Sequence, residues 1–304
     1  MAELKDSEYT VVDFSHCKTV EGICFADDNS AKLCVTYQDD LYMLKFPKEL
    51  WRDNDEPFSV QQCFTEHLAC QIFRRSGLAV QDTVLGTYTI KKEKVPVVAC
   101  KVFTSPSRTL VDFAQIFGLD SQDEDFDESH ELPKFTAWMD CQQYVEPLLL
   151  KDYFWQMFVL DAYLGNCDRN FTNMGFLKNT DTGTHSLAPV FDCGDSFDVG
   201  CRDEFVQAFA AEPEQYDDYI FGWPMPIFRI GGKRLRYYDY LMHGGNNDCS
   251  KALKKIVPTL DEKAIFAAID AVPMLAESRK KFFKTLLHRR MELIILPAYL
   301  QAGG

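Results

Sequence analysis

Three polar residues in the second half of the chain have the types and spacing that phosphoryl transfer requires. Residues 164–176 read LGNCDRNFTNMGF and residues 189–196 read PVFDCGDS. Asp168 and Asn173 stand five apart on what must be a loop, and Asp192 opens a second loop at the end of a β-prone run. In transfer from ATP, one carboxylate orients the attacking hydroxyl and accepts its proton. An amide oxygen holds one Mg²⁺, and another carboxylate grips the metal that bridges the phosphates. Asp and Asn are also ordinary turn formers. The order D-x-x-x-x-N then D-x-G, at close range after an apolar helix, favours the catalytic reading.

The same chemistry needs a cation on the phosphates. Lys45 lies inside LYMLKFP, residues 41–47, and an ammonium in an apolar strand is costly unless it reaches an anion. A snorkelling edge-strand lysine is the alternative. Glu66 or Glu56 can hold this lysine in place; Glu66 is preferred because it falls on a helix between two strand pairs, although a solvent-facing role stays open for it. The candidate phosphate loop, residues 25–32, reads FADDNSAK and contains Ser30 and Lys32. It has no glycine, so phosphate binding there requires a nest of backbone amides, with Asp27 and Asp28 turned to solvent or metal.

The elements that must position these residues follow from periodicity and punctuation. Residues 31–37 and 41–46 are β-prone runs around a short polar turn. Ser59 and Gln62 form a capping box for a helix whose apolar residues recur through Phe73 and which Gly77 ends. Residues 84–90 and 95–103 are two more strands around a polar turn. Leu110, Phe113, Ala114 and Phe117 predict a short helix ending at Gly118, and residues 120–131 form a solvated acidic loop with seven carboxylates. Residues 149–164 read as a helix buried nearly all round. Residues 206–240 contain a hairpin at Gly231-Gly232, and residues 261–271 and 277–296 read as helices. Arg279, Lys280, Lys281, Lys284, Arg289 and Arg290 predict the polar face of an amphipathic surface helix, or a basic face for a membrane or acidic partner.

Composition bounds the function. The chain has 304 residues, with 32 Lys+Arg against 46 Asp+Glu for a net charge of −14, which argues against nucleic-acid binding by phosphate neutralisation. No run of about 18 apolar residues occurs, so no transmembrane segment is expected. Eleven scattered cysteines without a CxxC pair predict free thiols in a reducing cytoplasm and no structural zinc. Cys100, Cys167 and Cys193 fall near the site; buried inert thiols are the preferred reading, redox sensitivity the alternative.

The chain resembles the HipA-like serine/threonine protein kinases, a bacterial family, and within them the stand-alone cell-translocating kinase A type. The resemblance rests on YMLKFP at residues 42–47, TEHLACQIFRRSGLAV at 65–80, GNCDRNFTNMGF at 165–176 and PVFDCGDS at 189–196. It implies an α+β, bilobal kinase-like fold, with a β-rich N-lobe over residues 1–103, a hinge near residues 99–103 and a mostly helical C-lobe over 104–304. It implies Asp168 as catalytic aspartate, Asn173 and Asp192 as metal ligands, Lys45 and Glu66 as phosphate anchor and its partner, and Cys100 and Lys101 as hinge contacts to the nucleotide. ATP and Mg²⁺ are the implied cofactors, a protein Ser or Thr the implied acceptor, and autophosphorylation is expected. Small-molecule phosphotransferases, lipid kinases and a non-catalytic pseudokinase remain alternatives; Asn170 stands where many relatives carry His.

Overall fold

The computed structural model describes residues 11–20, 32–47, 61–119 and 130–304. The N-terminal part is a six-stranded sheet with one helix. The strands are β1 (Val12–Asp13), β2 (Lys18–Thr19), β3 (Lys32–Tyr37), β4 (Asp40–Lys45), β5 (Thr83–Ile90) and β6 (Glu93–Lys101), with α1 (Gln61–Arg75) between β4 and β5. Their spatial order is β1-β5-β6-β4-β3-β2, antiparallel except where β1 meets β5. The β3–β4 and β5–β6 turns place Gln38 and Asp39, and Lys91 and Lys92, at positive φ, the pairing that two-residue hairpins demand.

Side-chain alternation gives this sheet two different faces. Val35, Tyr42, Leu44, Val97 and Ala99 join Phe14 in a small core on the outer face. The residues between them, Cys34, Met43, Lys45, Val98 and Cys100, are aligned by register on the face that meets α1 and the rest of the chain. The helix ends at Gly77, φ +87, as expected for a left-handed stop. Ser59 of the expected capping box lies outside the described residues.

A three-stranded sheet follows, made by β7 (Arg108–Asp112), then α2 (Phe113–Phe117), α3 (Leu132–Cys141), α4 (Pro147–Leu164), β8 (Gly175–Asn179) and β9 (His185–Leu187), in strand order β7-β8-β9. Leu110, expected in a helix, pairs instead with Leu177 of β8. Cross-strand bonding overrides the helical spacing, and α2 begins only where the Asp112 carboxylate caps the N–H of Gln115 at 2.7 Å. In α4, every residue from Tyr153 to Leu164 is buried. This helix is the axis of the main core, against which α3 and the later helix α8 (Asn247–Ile256) pack.

The remainder comprises α5 (Asp203–Ala211), α6 (Asp217–Gly222), β10 (Arg229–Ile230), β11 (Lys233–Arg234), α7 (Tyr237–Asp239), α8 (Asn247–Ile256), α9 (Glu262–Asp270), α10 (Glu277–Arg290) and α11 (Leu296–Gln301), with wider π-type turns at Tyr240–Gly244 and Met291–Ile295. Gly231 and Gly232 make the β10–β11 turn, both at positive φ. Residues 120–129 of the acidic stretch lie outside the described residues. Glu131 is not a solvated loop residue: its carboxylate accepts the N–H groups of Gly231 and Gly232 at 2.9 and 2.6 Å.

The basic face expected on the last long helix does not exist as a free surface. Arg279 pairs with Asp203, Lys280 with Glu277, Lys284 with Asp270, Arg289 with Asp217 and Glu292, and Arg290 is fully buried against Asp198. Lys281 is exposed; the other cations brace α10 against its neighbours, because one side of the helix is buried in the fold and its charges must find partners there.

Candidate active site

Lys45 is the last residue of β4, in register with Val98 of β6 and Lys32 of β3. Its ammonium lies 2.8 Å from Glu66 Oε2 and 2.6 Å from Asp192 Oδ1, so one cation joins sheet, helix and loop. Glu66 is 1% exposed, and its other oxygen accepts the N–H of Cys193 at 3.1 Å. Burial works against the Lys45 charge, but the Asp192 and Glu66 carboxylates outweigh it and hold the ammonium well above its ordinary pKa. Burial likewise works against the Asp192 carboxylate, and Lys45 outweighs it, so that carboxyl is held below its ordinary value.

Asp192 reaches this position through the backbone. Val190 bridges Val80 beside the N-terminal sheet, and Asp192 then adopts φ +54, a left-handed conformation that costs a non-glycine residue roughly 1–2 kcal/mol. Its ion pair with Lys45 and the anchoring of Cys193 to Glu66 maintain that turn.

The other half of the site is the loop after α4. Gly165 ends the helix at φ +71, and a Cβ there would collide with the guanidinium of Arg290; only glycine satisfies both demands. Asn166 then accepts the N–H of Asp168 at 3.0 Å. The Asp168 carboxylate takes bonds from Asn170 Nδ2 at 3.0 Å and Asn173 Nδ2 at 3.3 Å, and the Asn173 amide also donates to the Asp168 carbonyl at 2.8 Å. With its nitrogen so engaged, Asn173 has its amide oxygen for a metal.

Arg169 ties the two loops together from below. It is 5% exposed and pairs with Asp161 of α4, Nε to Oδ2 2.9 Å. The same guanidinium donates to the carbonyls of Asn173 at 3.1 Å and Phe191 at 2.7 Å. Asp161 in turn accepts from Asn166 at 2.9 Å. A buried pair contributes little net stability, but removing one partner leaves a costly charge, so the arrangement specifies loop geometry.

The open space between these groups, about 550 Å³, is lined by Lys32, Lys45, Glu66, Asp168, Asp192 and Asp195, among others. Ser30 and the rest of residues 25–31 lie outside the described residues, as does Glu56. Cys100 is fully buried in β6, where burial pushes its thiol pKa well up. Lys101 gives its ammonium to Asp40 at 2.6 Å, and its carbonyl accepts Gln81 Nε2 at 2.9 Å; neither Cys100 nor Lys101 lines this cleft. Cys167, beside Asp168, has its thiol pushed up to about 12 by burial and neighbouring carboxylates.

Several residues of the site escape a reading by motif: Arg169, Asp161, Gln62 and Asp195; Asn170 stands out in the motif only as a departure from His. Gln62 Nε2 donates to Asp195 Oδ1 at 2.6 Å, and Thr65 Oγ1 to the Gly194 carbonyl at 2.5 Å, stitching α1 to the Asp192 loop. Asp161 carries a usable signal, a carboxylate inside the otherwise apolar run of residues 157–164. The donor set of Asn173 and Asp192, an amide oxygen and an ionised carboxylate, fits Mg²⁺, which prefers hard oxygen ligands and binds through few protein groups.

A curled sheet with a helix bearing the lysine's partner, a helical lobe and these two loops define a protein-kinase-like phosphotransferase. A scan against protein-family models returns no match. The chain is 35% identical over 292 residues to the serine/threonine-protein kinase CtkA of Helicobacter pylori strain J99, covering 96% of this chain and 88% of that protein. The crystal structure of a Helicobacter pylori proinflammatory kinase CtkA matches with a TM-score of 0.82 at 34% identity, over 96% of this chain and 98% of that one. A chain of the Shewanella oneidensis HipA, HipB and operator DNA complex matches with a TM-score of 0.58 at 15% identity, over 92% and 68% of the two chains, and shares the fold alone. The protein belongs to the CtkA family of serine/threonine protein kinases and is an enzyme of that class.

Proposed function

We propose that the chain transfers the γ-phosphoryl group of ATP, with Mg²⁺, to serine or threonine hydroxyls of a protein substrate, and that it phosphorylates itself. The observation that carries this reading is Lys45 held between Glu66 and Asp192 at 2.8 and 2.6 Å beside a cleft that Asp168 also lines. We further propose that the lobes meet at residues 103/104, with the nucleotide between them, and that the chain works in the cytoplasm, where the ten free thiols among the described residues stay reduced. Among the described residues no helix is long and apolar enough to cross a membrane.

In this reading Lys45 gives a fixed positive charge to the nucleotide phosphates, with Lys32 from the facing strand beside it. Asn173 and Asp192 hold Mg²⁺, which when bound neutralises charge developing on the phosphates. Asp168 orients the acceptor hydroxyl and takes its proton. Asn170 and Asn173 fix the rotamer of that carboxylate, and Arg169 fixes the spacing between the two loops. Catalysis is then mainly positioning and electrostatic stabilisation. Mass spectrometry after incubation with ATP and Mg²⁺ tests the reading. Phosphate on Ser or Thr of the wild type, absent from Asp168→Asn, is expected; equal phosphorylation of both proteins refutes it.

A further inference from the structure

We propose that Cys70, Cys193 and Glu66 form a second metal site, taking one thiophilic divalent ion of the zinc class, buried behind the Lys45 ion pair. One ligand atom from each residue lies within 4.8 Å of the other two, and Cys70 Sγ is 3.8 Å from Glu66 Oε1. A tetrahedral ion with bonds of about 2.3 Å to sulfur and about 2.0 Å to oxygen sets its ligands roughly 3.5–3.8 Å apart, so small side-chain rotations close the set. Glu66 and Cys70 are one helical turn apart on the same face of α1. Cys193 comes from the loop that carries Asp192, far along the chain, so no ligand spacing in the sequence reveals the group.

The chemistry of the set separates it from the Mg²⁺ ligands. Two thiols and a carboxylate select a soft or borderline ion, whereas Asn173 and Asp192 offer only oxygen. All three donors are buried, Cys70 and Cys193 at 0% exposure, and the fourth position of the tetrahedral ion is left to a water molecule. Outer support is in place: Arg169 Nη2 donates to Cys193 Sγ at 3.3 Å, and the Cys193 N–H holds Glu66 Oε1. The loaded cluster sets two thiolates, Glu66, Asp161 and Asp192 around the two charges of the ion, Lys45 and Arg169, so most of its negative charge is met by nearby cations. Entry of the ion breaks two S–H bonds, forms two metal–sulfur bonds and releases two protons, with no change of oxidation state. It cross-links α1 to the Asp192 loop, the two elements that grip Lys45.

Metal binding stands apart from the kinase reading; only a consequence for phosphoryl transfer rests on it, so the test uses no ATP. Chelator-stripped, reduced full-length protein is dialysed against Zn²⁺. The wild type is expected to retain one ion at this site, release two protons near pH 7 and show a higher thermal midpoint. Cys70→Ala and Cys193→Ser, checked for folding by circular dichroism, are expected to lose that ion and the midpoint rise. X-ray absorption of the zinc-loaded wild type gives a reading independent of either variant, with two sulfur ligands expected. Unchanged retention and proton release in a folded Cys70→Ala, or a wild-type shell of nitrogen and oxygen alone, overturns the proposal.

Discussion

Arg169 and Asp161 form an ion pair inside the helical core, Nε to Oδ2 2.9 Å, and the free edge of the same guanidinium reaches the carbonyls of Asn173 and Phe191. One buried cation therefore serves two ends: it neutralises the carboxylate of α4, and it sets the distance between the loop of Asp168 and the loop of Asp192. Arg169→Met leaves Asp161, 1% exposed, without its counter-charge, and should cost about 3–5 kcal/mol. Adding Asp161→Leu should recover much of that stability while phosphoryl transfer stays low, because the carbonyl contacts are not restored. Denaturant midpoints and kinase assays on single and double variants read the two effects separately. Recovery of activity along with stability would show that Arg169 has no positioning role.

The Lys45 pocket predicts a pH dependence with a definite sign. The Asp192 carboxyl has a folded pKa below its ordinary value of 3.8, so the folded protein binds that proton less readily than the unfolded chain. Its contribution is complete above 3.8 and is lost as pH falls through the folded value. Lys45 has a raised folded pKa, so its contribution is complete below 10.5 and is lost only as pH rises beyond that. Lys45→Met should therefore be less stable than wild type across the neutral range, with the gap narrowing as pH drops below about 4. Urea unfolding at a series of pH values measures it; a constant gap down to pH 2 contradicts the assignment.

Asp168 and Asn170 separate chemistry from orientation. Asp168→Asn removes the base and should lower kcat by roughly 10²–10⁴-fold, with KM for ATP little changed. Asn170→Ala removes one hydrogen bond to that carboxylate and one cap on the Thr172 N–H. It should lower kcat by about tenfold, the worth of a bond of roughly 1–1.5 kcal/mol. Steady-state kinetics on both variants decide this, and a loss as large for Asn170→Ala as for Asp168→Asn would make Asn170 part of the chemistry itself.

What was legible in the sequence was local. The Asp168 loop, Asn173, Asp192 and the strand lysine announce themselves because their residue types conflict with apolar surroundings or recur at fixed spacing. The hairpins at residues 38–39 and 231–232 and the stops at Gly77 and Gly118 follow from turn chemistry. Contacts between distant segments were not legible. Leu110 follows a helical spacing yet joins a strand, because β8 supplies a ladder that local preference does not know about. The cations of α10 look like a solvated face until Asp203, Asp217 and Asp198 arrive from elsewhere in the fold. Gln62 with Asp195, and Cys70 with Cys193, likewise exist only as tertiary neighbours.

Gly165 and Gly183 give a paired test of how the catalytic loop is held. Both sit at left-handed φ, +71 and +72, so an alanine at either pays the backbone cost of roughly 1–2 kcal/mol. At Gly183 a Cβ meets nothing within 4 Å, and Gly183→Ala should cost no more than that. At Gly165 it meets the buried guanidinium of Arg290, which is itself fixed by two bonds to Asp198 at 2.9 and 2.8 Å. Arg290 has no room to retreat, so Gly165→Ala must displace either the ion pair or the start of the Asp168 loop. Its cost should exceed that of Gly183→Ala by about 2 kcal/mol or more, the range of overpacking in a filled core, and activity should fall with it. Calorimetric midpoints of the two variants side by side measure the difference. Equal midpoints would mean that α10 does not clamp the Asp168 loop through Arg290.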